Sequence, residues 1–413
     1  MNINSKIFRN SIWSVVNQIL SILVAFFLSL MFGRIFGPSI LGSYSSSQAL
    51  VGILALLTNF GIPTILSREV ANKPNKINFL LSCSISIKVM YSFPLLFILT
   101  SLITYFLGYS QFDIKIAILT SIYLTVISIL NYLELAMKSV HRNDVFLKVN
   151  ILYKFIILFS TFILLSLSFD LVTIIFVQSI ISIFTLVFTL KYILHLTGRL
   201  VYFYNYRIFK TYIFISFPFV LASAAEFVNL KIDSLFISQI LGLEKTGYYN
   251  AAYNIYLGAT VIPLALIQVY FPNFIERNKI SVILSKSLFH KYFIYLFFYS
   301  FFIGIFFYFF GDSILDILFN KNFLESKLVL KILMGGLFII VLNRLVNYTL
   351  VALKENTYYL RITLVGAIIN IGLNTYLIKY FGIKGAAFST LITEALILFL
   401  GLRKLYFNKL LWN

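Results

Sequence analysis

Long apolar runs, each closed by a short polar stretch, organise this sequence from end to end. Twelve of them fall near 11–33, 40–60, 78–107, 112–137, 148–168, 171–195, 210–241, 247–275, 290–311, 328–353, 359–380 and 384–407. Each is close to the roughly 20 residues that a helix needs to cross about 30 Å of hydrocarbon. Strands of a membrane barrel would be about 10 residues long with alternating polarity, and no such pattern is present. The pattern predicts an all-α polytopic membrane protein with twelve transmembrane helices.

The runs also repeat. Arg34–Tyr44 reads R-I-F-G-P-S-I-L-G-S-Y and Gln239–Tyr249 reads Q-I-L-G-L-E-K-T-G-Y-Y. A shift of 205 positions superposes Ile35 on Ile240, Gly37 on Gly242, Gly42 on Gly247 and Tyr44 on Tyr249, and lays Ser11 on Ser216. Because 205 is nearly half of 413, the chain reads as two equivalent six-helix lobes, 1–198 and 199–413. Internal repeats in apolar chains mark transporters that rock one half against the other. The glycines themselves read as turn formers that end one span and start the next.

Composition agrees: 60% of residues are apolar and 11% charged, with a mean hydropathy of +0.95. The net charge of +19 is mainly an orientation signal. With the N-terminus inside, 21 Lys and Arg fall in cytoplasmic loops and five (Arg34, Lys245, Lys321, Lys327, Lys384) in outer ones. That bias is the positive-inside rule, with both termini cytoplasmic. It places both copies of the repeat on the outer side, so the repeat is parallel. Nucleic-acid binding would gather the charges on one soluble face, and no loop is long enough to build one. The first run is too long for a signal-peptide core and reads as the first span. The lone Cys83 excludes internal disulfides and cysteine-rich metal sites, and His141, His195 and His290 stand at unrelated spacings. No Walker loop is present, so no cofactor or nucleotide is expected.

Polar residues inside spans are costly and become functional candidates. Span seven is richest, with Ser216, Ser223, Glu226 and Asp233 on one stripe, Asn229 and Lys231 between them, and Pro218 near its start. Span one has a polar edge of Asn10, Ser14, Asn17 and Ser21, and the 205 shift lays Ser21 on Glu226. Lys88, Asn343, Arg344, Asn347 and Glu394 add further polar groups inside spans. Glu134 and Lys154 are further candidates inside spans, each with a plainer alternative: Glu134 as an interfacial partner of Lys138, and Lys154, near the start of its span, as a side chain reaching back to the cytoplasm; with Lys88 and Arg344, Lys154 supplies positive charge that favours an anionic lipid substrate.

Several segments resemble bacterial polysaccharide flippases of the multidrug/oligosaccharidyl-lipid/polysaccharide exporter superfamily. They include Asn10-Ser-x-Trp13 with Gln18, Arg34-x-x-Gly-Pro-x-x-x-Gly42-x-Tyr44, Phe60-Gly61 and Arg68-Glu-Val-Ala71. In the second half the resemblance continues through Phe217-Pro218, Lys231-Ile-Asp233, Gly247-Tyr-Tyr-Asn-Ala-Ala-Tyr253, Leu330-Lys-Ile-Leu333, Leu364-Val-Gly-Ala-Ile-Ile-Asn370 and Tyr380-Phe-Gly-Ile-Lys-Gly-Ala-Ala387.

The resemblance implies a MATE-like fold of two lobes in the bacterial inner membrane, around a cavity that opens to each side in turn. It implies movement of undecaprenyl-pyrophosphate-linked oligosaccharides, such as O-antigen or capsule units, to the outer leaflet, alongside polymerase and glycosyltransferase partners. On that expectation Lys88, Lys231 and Arg344 receive the pyrophosphate. Asn17, Gln18, Asn343 and Asn347 bond sugar hydroxyls, and Glu226 and Asp233 couple transport to a returning H⁺ or Na⁺.

Three other readings compete. A multidrug/cation antiporter would want a predominantly acidic cavity, and a lipid II flippase would carry two further C-terminal spans. A membrane glycosyltransferase or polymerase would need catalytic acids on an outer loop. Only Asp312, Asp316 and Glu325 approach that, in a segment read as a connecting turn with an interfacial helix.

Overall fold

The computed structural model describes residues 3–139, 143–197 and 206–407; His141 and the expected lobe junction near 198 lie outside them. Among the described residues there are sixteen α-helices and no strand. In chain order they are α1 (Ile3–Phe36), α2 (Pro38–Thr58), α3 (Ile62–Asn72), α4 (Ile77–Ile87), α5 (Phe93–Phe106), α6 (Gln111–Ser139), α7 (Asn143–Ser166) and α8 (Leu171–Thr197). The second half holds α9 (Tyr206–Ile240), α10 (Leu243–Ala259), α11 (Val261–Ile280), α12 (Val282–Phe319), α13 (Leu324–Gly335), α14 (Leu337–Ala352), α15 (Asn356–Phe381) and α16 (Ile383–Phe407).

Among the described residues nine segments are long and apolar enough to cross a membrane, and the bent pairs α10–α11 and α13–α14 raise the number to eleven. The 35-residue α9 occupies the place of the seventh span. The twelve-helix reading of the sequence therefore stands, with three spans made of two pieces each. Span three joins α4 to α5 through a π-helical stretch, Lys88–Ser92. Pro94 in the first turn of α5 lacks an N–H and would collide with the carbonyl four residues earlier, so the turn before it widens. Spans eight and ten bend by 41° and 46° at their joins.

The chain divides into two compact units: Met1–Leu28 with Ser46–Ala224, and Ser29–Ser45 with Ala225–Asn413. In unit 1 the short α3 sets Ile62, Leu66 and Val70 on one face against Leu80 and Leu81 of α4 and Tyr132, Leu133 and Met137 of α6. In unit 2, α16 packs along α15 and α14, and α13 lies against α10 and α12. Both units invert the soluble pattern. Phe159, Phe184, Phe302 and Ile368 face outward, whereas Lys88, Asp233, Asn370, Asn374 and Glu394 are buried, as a lipid solvent demands.

The outer acids have structural work to do. Asp312 and Asp316 on the last turns of α12 pair with Lys331 and Lys327 of α13, at 2.8 and 2.7 Å, and Glu325 pairs with Lys245. They tie a connecting helix to its neighbours, as the sequence suggested.

The doubled motif encodes one backbone event twice. Gly37 has φ +83° and Gly242 φ +91°; with ψ 172°, Gly242 takes a conformation open almost only to glycine. We expect Gly242→Ala to lower stability by about 1–3 kcal/mol. Gly258→Ala, in the last turn of α10 with nothing within 4 Å, should be neutral or stabilising by up to about 1 kcal/mol. Thermal unfolding of the two variants in detergent checks the difference in sign.

Candidate functional site

One turn of α1 organises a polar cluster inside unit 1. Asn17 and Ser21 stand one turn apart on its polar edge, and Asn150 and Lys154 stand one turn apart on α7. The Lys154 ammonium donates to the Asn17 carbonyl oxygen at 2.9 Å, to Ser21 Oγ at 2.8 Å and to Asn17 Oδ1. Asn150 Nδ2 donates to the same Oδ1 at 3.0 Å. Asn17 Nδ2 donates in turn to both carboxylate oxygens of Glu134 on α6, at 3.3 and 3.4 Å. Cation and carboxylate are thus joined through one amide. Lys154 is 9% exposed, so it turns inward instead of reaching back to the cytoplasm. Three oxygens on α1 supply the solvation that its position in the sequence did not reveal. Gln18, beside Asn17, lies on the exposed side of α1.

Lys88 forms a separate group. It opens the π-helical stretch, is wholly enclosed, and donates to Asn59 Oδ1 at 3.2 Å. Ser128 Oγ, at 3.2 Å, and the Tyr132 hydroxyl donate to that same oxygen. Asn59 holds its position because the next two residues, Phe60 and Gly61, take left-handed backbone conformations that turn the chain from α2 into α3.

Unit 2 carries two adjoining groups. Asp233 of α9 is buried, and its Oδ2 accepts from Tyr249 Oη at 2.6 Å and Thr390 Oγ1 at 2.7 Å. Its Oδ1 accepts from Asn374 Nδ2 at 2.7 Å. Four helices therefore meet at one carboxylate. Asn374 Oδ1 is buried without a hydrogen-bond partner among the described residues. Two residues before Asp233, Lys231 Nζ lies over the Tyr253 ring at 5.4 Å.

The second group surrounds Arg344 of α14. Arg344 is half-buried and within electrostatic reach of Glu226 on α9 and Glu394 on α16. Glu226 accepts from the Tyr359 hydroxyl of α15, and Glu394 from Asn343 Nδ2. Asn343 Oδ1 and Asn347 Oδ1 are buried without hydrogen-bond partners among the described residues. The structure thus gathers Glu226, Asn343 and Arg344 near Glu394, with Asp233 and Lys231 beside them and Asn347 one turn along α14 from Asn343. It sets Asn17 among Glu134, Asn150 and Lys154, and leaves Lys88 apart.

The 205-residue shift that relates the outer turns also relates these clusters. It carries Ser21 onto Glu226 and Lys154 onto Tyr359, and both pairs are hydrogen-bonded. The first and fifth spans of each half are bridged at the same place. The polarity is reversed: unit 1 puts a cation on the fifth span, and unit 2 puts a carboxylate on the first.

Tyr249, Tyr359, Asn374 and Thr390 were not singled out as site residues in the sequence, and Lys154 was a candidate with a second, interfacial reading. The spacing of Asn150 to Lys154 and of Asn370 to Asn374, four residues each, was the available signal.

The polysaccharide biosynthesis protein family matches residues 7–278. No curated protein matches the chain. Among solved structures, an inward-facing multidrug resistance MATE family transporter of the MOP superfamily superposes with a TM-score of 0.73 at 13% identity, over 95% of both chains. The lipid II flippase MurJ in an inward closed conformation gives 0.73 at 15% identity, over 97% of this chain and 87% of that one. A MOP superfamily transporter from Pyrococcus furiosus, whose binding pocket is described as of reverse polarity, gives 0.67 at 14%, over 98% and 96%. These likenesses establish the fold.

Thr390→Val keeps the side-chain shape and removes one donor to Asp233. We expect it to cost about 1–3 kcal/mol, seen as a lower thermal midpoint in detergent. Thr375→Val, on the exposed side of α15, should leave the midpoint where it was.

Proposed function

The chain belongs to the polysaccharide biosynthesis protein family, and from that premise we propose that it flips undecaprenyl-pyrophosphate-linked oligosaccharides from the cytoplasmic to the outer leaflet of a bacterial inner membrane. Three observations support the reading: the family match, the many apolar helices of a multi-pass membrane protein, and a fold shared with MOP-superfamily transporters and a lipid II flippase; on it the chain is a lipid-linked flippase and not an enzyme. The finer reading assigns it an oligosaccharide precursor of O-antigen, capsule or a similar polymer, moved by alternating access of the two lobes.

One observation carries the reading. The bridge that the repeat builds twice holds a cation in unit 1 and a carboxylate in unit 2, which suits one machine that handles an anion and a counter-cation. Lys231 and Arg344 support it. Both are half-buried, and neither has an ion pair within 4.0 Å among the described residues, so their N–H donors are left for phosphate oxygens. Lys88 would join them only after a rearrangement that frees it from Asn59. Asn17, Gln18, Asn343 and Asn347 remain the proposed sugar-hydroxyl partners. Glu226 and Asp233 are the proposed coupling groups. The oxygens of Asp233, Thr390 and Asn374 make a set suited to a proton or a hard cation such as Na⁺. An anion leaving a negative interior also gains about 2.3 kcal/mol per charge per 100 mV.

In a strain lacking other flippases, removing this protein should leave lipid-linked repeat units on the cytoplasmic leaflet. Their normal appearance outside would end the proposal. Arg344→Ala and Asp233→Asn should each lower delivery to the outer leaflet by roughly tenfold or more, about 1.4 kcal/mol, with folded protein retained. Lys154→Tyr, which gives unit 1 the residue that unit 2 has at that place, should lose transport, whereas Lys154→Arg should keep most of it. Equal activity of the Tyr and Arg variants would remove the cation from the mechanism.

A further inference from the structure

The four cations inside the spans are not equivalent. Lys154 is joined to Glu134 through Asn17. Lys231 stands within electrostatic reach of Asp233, and Arg344 within reach of Glu226 and Glu394. Lys88 has no carboxylate in reach among the described residues. It is also the most enclosed of the four, with no exposed surface. A charge buried in this way is costly unless a partner compensates it.

The hydrogen bonds around Lys88 leave donors over. Lys88 Nζ, Ser128 Oγ and the Tyr132 hydroxyl all donate to Asn59 Oδ1, the first two at 3.2 Å. An amide oxygen offers two lone pairs, and an ammonium carries three N–H groups. Three donors therefore share one neutral acceptor, and two ammonium N–H groups have no protein partner among the described residues. Ser84 and Ser92 stand four residues before and after Lys88, and both hydroxyls are buried without hydrogen-bond partners. Elsewhere in the spans Thr104, Thr125 and Ser300 bond back to the carbonyl four residues earlier. No acid completes the group, because Tyr132 and Ile87 belong to an apolar cluster with Ile62, Leu66 and Leu133.

An ammonium and two hydroxyls converging on one point make the surroundings of an anion, which binds such donors more strongly than an amide does. Asn59 holds that point, and its backbone is fixed independently of its side chain. Its carbonyl accepts from Ile62 N at 3.1 Å, and its own N–H donates to the Leu56 carbonyl at 3.3 Å. The side chain can therefore rotate while the turn from α2 into α3 keeps its shape.

We propose that Lys88, Ser128 and Tyr132 form a binding site for a small inorganic anion of halide size, with the Asn59 amide oxygen as its removable stand-in. The anion takes the point that Asn59 Oδ1 holds, and Ser84 and Ser92 add donors from the helix that carries Lys88. The enclosure of Lys88 favours a single-atom ion over a phosphate group. The site is separate from the pyrophosphate reading, which needs Lys88 to leave this enclosure, and it does not depend on what the protein transports.

Thermal unfolding in detergent tests it, with sodium chloride, bromide or gluconate compared at constant ionic strength. The two halides should raise the midpoint over gluconate in a saturable manner, and Lys88→Met should abolish that difference. Asn59→Ala removes the competing oxygen, so the halide concentration that gives half the effect should fall roughly tenfold. Asn59→Asp sets a carboxylate at the same point and should leave no halide response. Crystals of the unaltered protein grown in bromide give a readout that needs no variant, an anomalous peak within hydrogen-bond reach of Lys88 Nζ. A halide response that survives in Lys88→Met overturns the site, as does Asn59→Ala no more sensitive than the parent, or no bromide at Lys88. Inorganic phosphate should behave as gluconate does. A phosphate response as large as that of chloride, lost in Lys88→Met, would make this an oxyanion site and overturn the halide assignment.

Discussion

A charge taken out of water inside a bilayer has to be solvated by the chain, and this chain does so with neutral dipoles. Lys154 is held by Asn17 and Ser21, Lys88 by Asn59, Asp233 by Tyr249, Thr390 and Asn374, and Glu226 by Tyr359. None of the ion pairs within 4.0 Å among the described residues includes these four. Those pairs lie at helix ends and in connections, where the outer Lys–Asp bonds tie α13 to α12. The distinction has energetic consequences. A buried ion pair quenches both partners, and breaking it leaves one charge stranded. A charge solvated by amides and hydroxyls keeps its attraction for a counter-charge and can change partners at smaller cost.

The same requirement explains why each unit must fold as it does. Four helices converge on Asp233 because a single helix cannot supply three donors to one carboxylate. Asn17 likewise needs α6 and α7 to use its amide fully. Polar convergence therefore selects which helices pack together, while apolar burial against lipid selects nothing, since lipid tails are as apolar as leucine.

The spans and the repeat were legible in the sequence because each is written as a period: apolar runs and a shift of 205. Glu226 and Asp233 stood out as isolated acids in an apolar helix. Their partners did not. Tyr249 and Tyr359 are two of 27 tyrosines, and nothing local separates a hydroxyl that serves a carboxylate from one at the membrane interface. Lys154 could be read two ways because distance from a span's end is local information, whereas its ligands lie on another helix 133 and 137 residues away. Lys88 was recognised as deep, but its enclosure by Asn59 depends on the left-handed turn at Phe60 and Gly61, and only the three-dimensional arrangement joins the two.

Duplication fixed the geometry, and the two copies then diverged where geometry meets chemistry. Had both copies of the bridge kept a lysine, a doubly charged pyrophosphate would be bound by each, and tight binding of a travelling group slows its departure as surely as weak binding prevents its capture. Two carboxylates would repel it. On the flippase reading, placing the cation in one copy and the carboxylate in the other would give an anionic cargo one favourable site and leave an acid for a counter-ion. The glycine turns could stay alike because both copies need the same reversal of chain direction. Ser21 and Glu226 could not, because on the flippase reading the two units bind opposite charges.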